Sequence, residues 1–337
     1  MAVKQGQTTS VLPAQSPSEK PDASTSDDPP YLEVAGVIAF NFFSSTGIVS
    51  ANKLVFQGGF GFAVTLTFIH FVCTTLGLLL LARLGVFTPK RLDIRKAFKL
   101  AVAGTGFVVF SNLSLKHNSI GFYQVMKHMT VVGVVIIEAL VFRKFLSTTF
   151  LGALATMCVG VLITGATDFR LNAVGTLFAL ANILCTSFYQ IWCGSLQKSL
   201  EANPLQLQLY IAPLSALSII PVLPIFDNYS PYSPDSIFHF APTTRNVSSI
   251  LLTGALALCV NVSIFLLIGK TSAVTYNVVG NGKTAFLFCV DFLIFRRPFE
   301  PANVFGMALT LAGVVWYTQL KLKARAEAEK AEKSSAS

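Results

Sequence analysis

From Tyr31 almost to its end, the chain alternates long apolar runs with short polar connections. Each run is about 20 residues, the length that carries an α-helix across a ~30 Å hydrocarbon core. Ten runs can be placed, at roughly 32–54, 63–83, 95–116, 119–143, 147–167, 172–197, 204–226, 247–269, 272–295 and 302–321. Most connections are very short, so neighbouring helices should be antiparallel. The longest, Asp227 to Asn246, holds Pro231, Pro234 and Pro242 and several aromatics. Residues 1–30 have no apolar run and cannot bury enough surface to fold, so they are expected to be disordered. They also lack the apolar centre of a cleaved secretory leader. The pattern therefore predicts an all-α polytopic membrane protein with a ten-helix domain over 31–322 and a charged tail over 323–337.

The pattern also repeats. SIGFYQVMKHMTVVGVVIIEALVFRK, from Ser119, aligns without gaps on SAVTYNVVGNGKTAFLFCVDFLIFRR, from Ser272. Tyr123 matches Tyr276, Glu138 matches Asp291, and Arg143-Lys144 matches Arg296-Arg297. Downstream, Gly160 falls opposite Gly313. Five spans lie in each half, about 31–168 and 169–322, and an odd number forces the two copies to insert in opposite directions. Inverted repeats around a midplane site are an architecture of secondary transporters.

Composition agrees with a membrane protein. Charged residues are 12% of the chain, about half the share of a soluble domain. The net charge of +9 lies mostly in short loops, which makes nucleic acid a poor partner. Arg83, Lys90, Arg91, Arg95, Lys96, Lys99, Arg143, Lys144, Lys198 and Lys270 fall on one side of the membrane, as does the basic tail. By the positive-inside rule that side is cytosolic, with both termini there. Arg296 and Arg297 are the exception, which inversion of the repeat accounts for. Six cysteines without CxxC spacing read as free thiols, and no metal or cofactor is expected.

Two lysines stand out against this background. Lys127 and Lys283 lie near the bilayer's middle in spans four and nine, where a cation normally faces water or an anion. Within the same helix, Glu138 is about 16 Å from Lys127 and Asp291 about 12 Å from Lys283, so neither can pair locally. Glu138 and Asp291, beside basic residues at helix ends, are expected to make interfacial salt bridges. Tyr123, Lys127 and Thr130 recur at helical spacing, as do Tyr276, Gly280 and Lys283. Each face would offer a phenol, a cation and a hydroxyl or close backbone approach, which suits a phosphate-bearing solute. Lys53 either snorkels to the headgroups or joins the site. Tyr189, Asn277 and Asn281 are polar groups at membrane depth that need partners in solute or neighbouring helices. His70 and His128 read as packed residues. GNGKT lacks the upstream glycine of a phosphate-binding loop and lies in a membrane helix. Asp93, Asp227 and Asp235 are too dispersed for the metal site of an intramembrane sugar transferase. Binding without chemistry is the better reading, so no enzyme activity is expected.

The motifs NFFSSTGIVSANKLVF, FVVFSNLSLKHNSIGFYQVMKHMT, SFYQIW and VNVSIFLLIGKTSAVTYNVVGNGKT occur in that order. Together they resemble the nucleotide-sugar transporters of the drug/metabolite transporter superfamily, in the Lys-Thr group related to plastid phosphate translocators. The resemblance covers about 31–322. It implies ten helices in two inverted five-helix repeats and a Golgi-membrane antiporter, with the endoplasmic reticulum or a plastid as lesser alternatives. Cytosolic nucleotide sugar would be traded for luminal nucleoside monophosphate, with the lipid bilayer and a second copy of the chain as further partners. The phosphate-contacting lysines carry over to Lys127 and Lys283. Lys283-Thr284 stands where plastid translocators have Lys-Arg, which disfavours a sugar-phosphate translocator. Gly280-Asn281-Gly282-Lys283 departs from the GALNK motif of GDP-mannose transporters, which favours UDP-sugars such as UDP-galactose or UDP-xylose. It also departs from relatives with Gly-His at Gly280-Asn281, so the sugar does not follow from the resemblance.

Overall fold

The computed structural model describes residues 31–143, 146–168, 172–270, 273–296 and 300–335. The N-terminal stretch expected to be disordered lies outside these. Among the described residues the regular structure is helical: α1 (Tyr31–Gln57), α2 (Ala63–Arg83), α3 (Ile94–His117), α4 (Ile120–His128), α5 (Thr130–Phe142), α6 (Thr148–Ala166), α7 (Ala173–Leu200), α8 (Pro204–Ile219), α9 (Leu223–Phe226), α10 (Thr244–Lys270), α11 (Ala273–Leu293) and α12 (Pro301–Ser335). Eight stretches among them are long and apolar enough to cross a membrane, the first Leu32–Gln57 and the last Thr244–Ile264. This is a multi-pass membrane protein. α11 and α12 are long helices outside that set. The described part of α11 carries Asn281, Lys283 and Asp291, and α12 runs on through the charged tail.

Local chemistry sets the helix ends. The Asp93 side chain accepts from the Arg95 amide to open α3, and Ser119 accepts from Phe122 to open α4. Asn203 and Gln206 form a reciprocal capping box before α8, with Pro204 in the first turn. Pro221 and Pro224 lack amide hydrogens, and there the helix passes through a 3-10 turn into the short α9. Arg143 and Arg296 end their helices with backbone in the left-handed region, φ 52° and 49°.

The fourth span, expected as one helix, is divided at Met129. The Met129 amide bonds back to the Met126 carbonyl at 3.0 Å, a 3-10 contact between α4 and α5. No proline or glycine stands at the break. Contacts from other helices flank it: His128 reaches Thr284 of α11, and Ser187 of α7 donates to the Thr130 carbonyl at 3.3 Å.

Packing pairs α6 with α12, α3 with α7 and α8, α1 with α10 and α11, α2 with α8 and α10, and α4 with α11. A close backbone approach joins α6 to α12. A methyl on Gly306 would lie 2.7 Å from the Thr164 backbone and hydroxyl, and one on Gly160 would meet Thr310 and the Gly306 carbonyl. Buried polar groups tie other helices together. Asn52 of α1 donates to Asn112 of α3 at 3.2 Å, and Asn112 donates to Thr67 of α2 at 2.8 Å.

At the end of the bundle where α1 and α3 finish, charged side chains close helices they do not belong to. Asp291, near the end of α11, accepts from the Gly121 amide in the first turn of α4 at 2.9 Å. It is 3% exposed, buried where the end of α11 meets the start of α4. Asp227, just after α9, accepts from the Thr65 amide at 2.6 Å and the Thr65 hydroxyl at 2.7 Å. Phe62, which opens α2, supplies no side-chain cap, so Asp227 fills that role. Lys53 donates to the carbonyls of Leu115 and Asn118, one end of α3 and its cap.

Candidate solute-binding site

Lys127 lies in the last turn of α4 and Lys283 in the middle of α11, and those two helices pack against each other. Their chain neighbours His128 and Thr284 share a 2.9 Å hydrogen bond, which sets the two lysines on neighbouring turns of the packed helices. Lys127 is exposed although it sits seven residues into the span Ile120–Val141, roughly 10 Å by the helical rise. A cation exposed at that depth is stable only in a wet cavity. Gly280, one turn before Lys283, borders open space among the described residues: a methyl there would meet none of their atoms within 4 Å. Lys127, Gly280 and Lys283 thus lie on the packed helices α4 and α11.

The Lys283 ammonium is held from α1. It donates to Asn41 Oδ1 at 2.9 Å and lies 3.4 Å from Ser45 Oγ. Asn41 is fully buried, and its amide donates to Ser263 Oγ of α10 at 3.0 Å. Phe42 of α1 and Phe286 of α11 meet edge to face, 5.2 Å between centroids, and fix this helix pair. None of Asn41, Ser45 and Ser263 was singled out above. Asn41 and Ser45 stand at i and i+4 in the first apolar run, a polar pair on one helical face that could have marked them.

The other chosen residues are distributed differently. Thr284 is 4% exposed and shares a 2.9 Å hydrogen bond with His128 Nε2 of α4. The packed reading of His128 thus has a definite partner, and His70 likewise meets Thr253 at 3.0 Å. Tyr123 is 6% exposed among Val49, Leu115 and Leu287, with its hydroxyl 2.9 Å from Ser111 of α3. Thr130 is buried beyond the break at Met129, and its hydroxyl finds no hydrogen-bond partner among the described atoms. The continuous face expected over Tyr123, Lys127 and Thr130 is therefore interrupted: its outer members are buried and only Lys127 is exposed. Tyr189 is half-buried, stacked on Phe107 of α3 at 5.7 Å. Asn281 is half-buried beside Gly280. The side chains of Tyr276 and Asn277 lie outside the described residues.

Lys53 does not snorkel. It is 5% exposed, and the carbonyls at the end of α3 hold its ammonium. Half-helix C-termini carry partial negative charge, which suits a buried cation.

Comparison with known proteins adds the decisive observation: residues 32–318 match the Triose-phosphate Transporter family as a whole. The chain belongs to that family. A UDP-xylose transporter of Arabidopsis thaliana is 34% identical over 85% of this chain and 84% of its own length. A UDP-rhamnose/UDP-galactose transporter of the same plant is 31% identical over 89% and 86%. A GDP-mannose transporter of that plant is 31% identical over 80% of each chain. All three are named as transporters, not enzymes. A solved crystal structure with 13% identity superposes with a TM-score of 0.55, covering 86% of this chain and 99% of the other, which shows a shared fold.

Proposed function

We propose that this family member is a nucleotide-sugar transporter that exchanges nucleotide sugar for nucleoside monophosphate by alternating access. The observation that carries this reading is the placement of Lys127 and Lys283 on packed helices joined by the His128–Thr284 bond, beside the space at Gly280. Two lysines on neighbouring packed helices at membrane depth suit the phosphates shared by both exchange partners. The relatives named for UDP-xylose, UDP-rhamnose/UDP-galactose and GDP-mannose point to the same solute class. Because they include both bases, the preference for a UDP-sugar rests on Gly280-Asn281-Gly282-Lys283.

Ten spans in two inverted halves form the scaffold of this proposal. Exchanging α1, α2, α3, α4/α5 and α6 for α7, α8, α10, α11 and α12 turns the α3–α7 contact into α10–α1, and α3–α8 into α10–α2. The aligned residues Arg143 and Arg296 share left-handed backbone. Gly160 and Gly306 each approach the threonine four residues beyond the other. That reciprocity favours GVLIT and GMALT as counterparts, and moves the partner of Gly160 from Gly313 to Gly306, two turns earlier. We place both termini in the cytosol and the protein in the Golgi membrane, on the basic loops and the resemblance. A homodimer belongs to the same proposal.

The family's description favours sugar phosphate as a second cargo class. Proteoliposomes preloaded with UMP, GMP, CMP or phosphate, offered labelled nucleotide sugars and triose phosphate, separate the two. UMP-driven uptake of a UDP-sugar is expected, and Lys127→Ala and Lys283→Ala are expected to abolish it in folded protein. Exchange only with phosphate would select the second reading, and wild-type rates in both variants would remove the phosphate role of the lysines.

A further inference from the structure

We propose that Asn41 is the positioning residue of this site: its carbonyl oxygen sets where the Lys283 ammonium stands, and Ser263 sets the direction of the Asn41 amide. The inference rests on the phosphate-binding reading of Lys283.

The hydrogen-bond chemistry leaves one arrangement. A lysine ammonium only donates, so the group facing it must accept. Asn41 presents Oδ1 to it at 2.9 Å and directs its amino group to Ser263 Oγ at 3.0 Å. Ser263 donates its own proton to the Val260 carbonyl at 2.9 Å, which leaves its oxygen to accept from Asn41. A flipped Asn41 would turn N–H donors towards the ammonium and a carbonyl towards Ser263. Asn41 is fully buried, and Ser44, one turn on, also touches Ser263 at 3.2 Å. Three helices thus fix one amide. A lysine has up to about 2 kcal/mol of side-chain entropy to lose on ordering, and this relay orders Lys283 before solute arrives. Asparagine also differs from aspartate in a way that matters here. An aspartate would hold the same ammonium as an ion pair and compete with the phosphate for it.

The test is UMP binding to purified full-length protein, by titration calorimetry, with melting temperature as the check on folding. Asn41→Ala should weaken UMP about tenfold, the scale of a hydrogen bond to a charged group. Asn41→Asp should weaken it more, about a hundredfold, by pairing with Lys283. In a Lys283→Met background, Asn41→Ala should cause no further loss, whereas in a Lys127→Met background it should cause its full loss. Unchanged affinity in both Asn41 variants would overturn the inference, and so would an equal effect with and without Lys283. If Lys283→Met itself binds UMP like the wild type, the phosphate reading fails, a result distinct from failure of Asn41 alone. Should Asn41→Ala not fold, Ser263→Ala carries the test, with a loss of about threefold expected from freeing the amide and unchanged affinity overturning the inference.

Discussion

Asp227 caps a helix to which it does not belong: its carboxylate accepts from both the amide and the hydroxyl of Thr65 in the first turn of α2. Burial raises its pKa above the ordinary carboxyl value, and the Thr65 bonds only partly offset this. A carboxyl raised on folding binds its proton more tightly in the folded state. Its favourable contribution is complete below the unfolded value and is lost as pH rises through the folded one. Thermal unfolding in detergent should therefore show stability rising on acidification across that window, and Asp227→Asn should flatten the rise. A wild-type profile in Asp227→Asn would contradict this account.

The Thr284–His128 bond joins α11 to α4 beside the lysines. Thr284→Val keeps the shape and removes the hydroxyl, so it should cost about 0.6–1.7 kcal/mol, the range of interhelical hydrogen bonds in membranes. Thr284→Ser should restore the bond and the melting temperature. Equal melting for valine and wild type would mean the bond contributes nothing.

Lys53 should behave as a structural cation. Lys53→Ala leaves the carbonyls at the end of α3 without their donor, and should lower stability by about 1–3 kcal/mol. UMP affinity in the folded fraction should stay near wild type. A selective loss of affinity at unchanged melting temperature would return Lys53 to the binding site.

Two glycine-to-alanine changes should separate packing from binding. Gly306→Ala puts a methyl against the Thr164 backbone and should destabilise by about 1–3 kcal/mol through overpacking of α6 on α12. Gly280→Ala has room for its methyl and should fold normally, but it narrows the open space beside Lys283. Its expected signature is weakened nucleotide binding at wild-type melting temperature.

The membrane-spanning pattern was legible in the sequence because the bilayer demands long apolar helices with internally satisfied backbone. The lysines were legible for the same reason, since a midspan cation needs an explanation that a surface one does not. What depended on other helices was not. The break at Met129 has no proline or glycine to announce it and is flanked by bonds from α7 and α11. The same break separates Thr130 from the face on which it was expected beside Lys127. Asn41 could be noticed by spacing, but its amide direction is set by Ser263, 222 residues away. The bond from the Gly121 amide to Asp291 was not legible either, because sequence distance does not reveal that α4 begins next to that carboxylate.

The two borrowed caps have a consequence for how that end of the molecule can part. Asp227 and Asp291 come from later helices and complete the first turns of α2 and α4. Pulling either carboxylate away leaves backbone N–H groups pointing into a poorly hydrated seam, and each must find another acceptor. Water is the acceptor at hand. Separation at this end therefore has to begin with wetting: the seam hydrates first, and the helices move apart along the film of water that has replaced the acids.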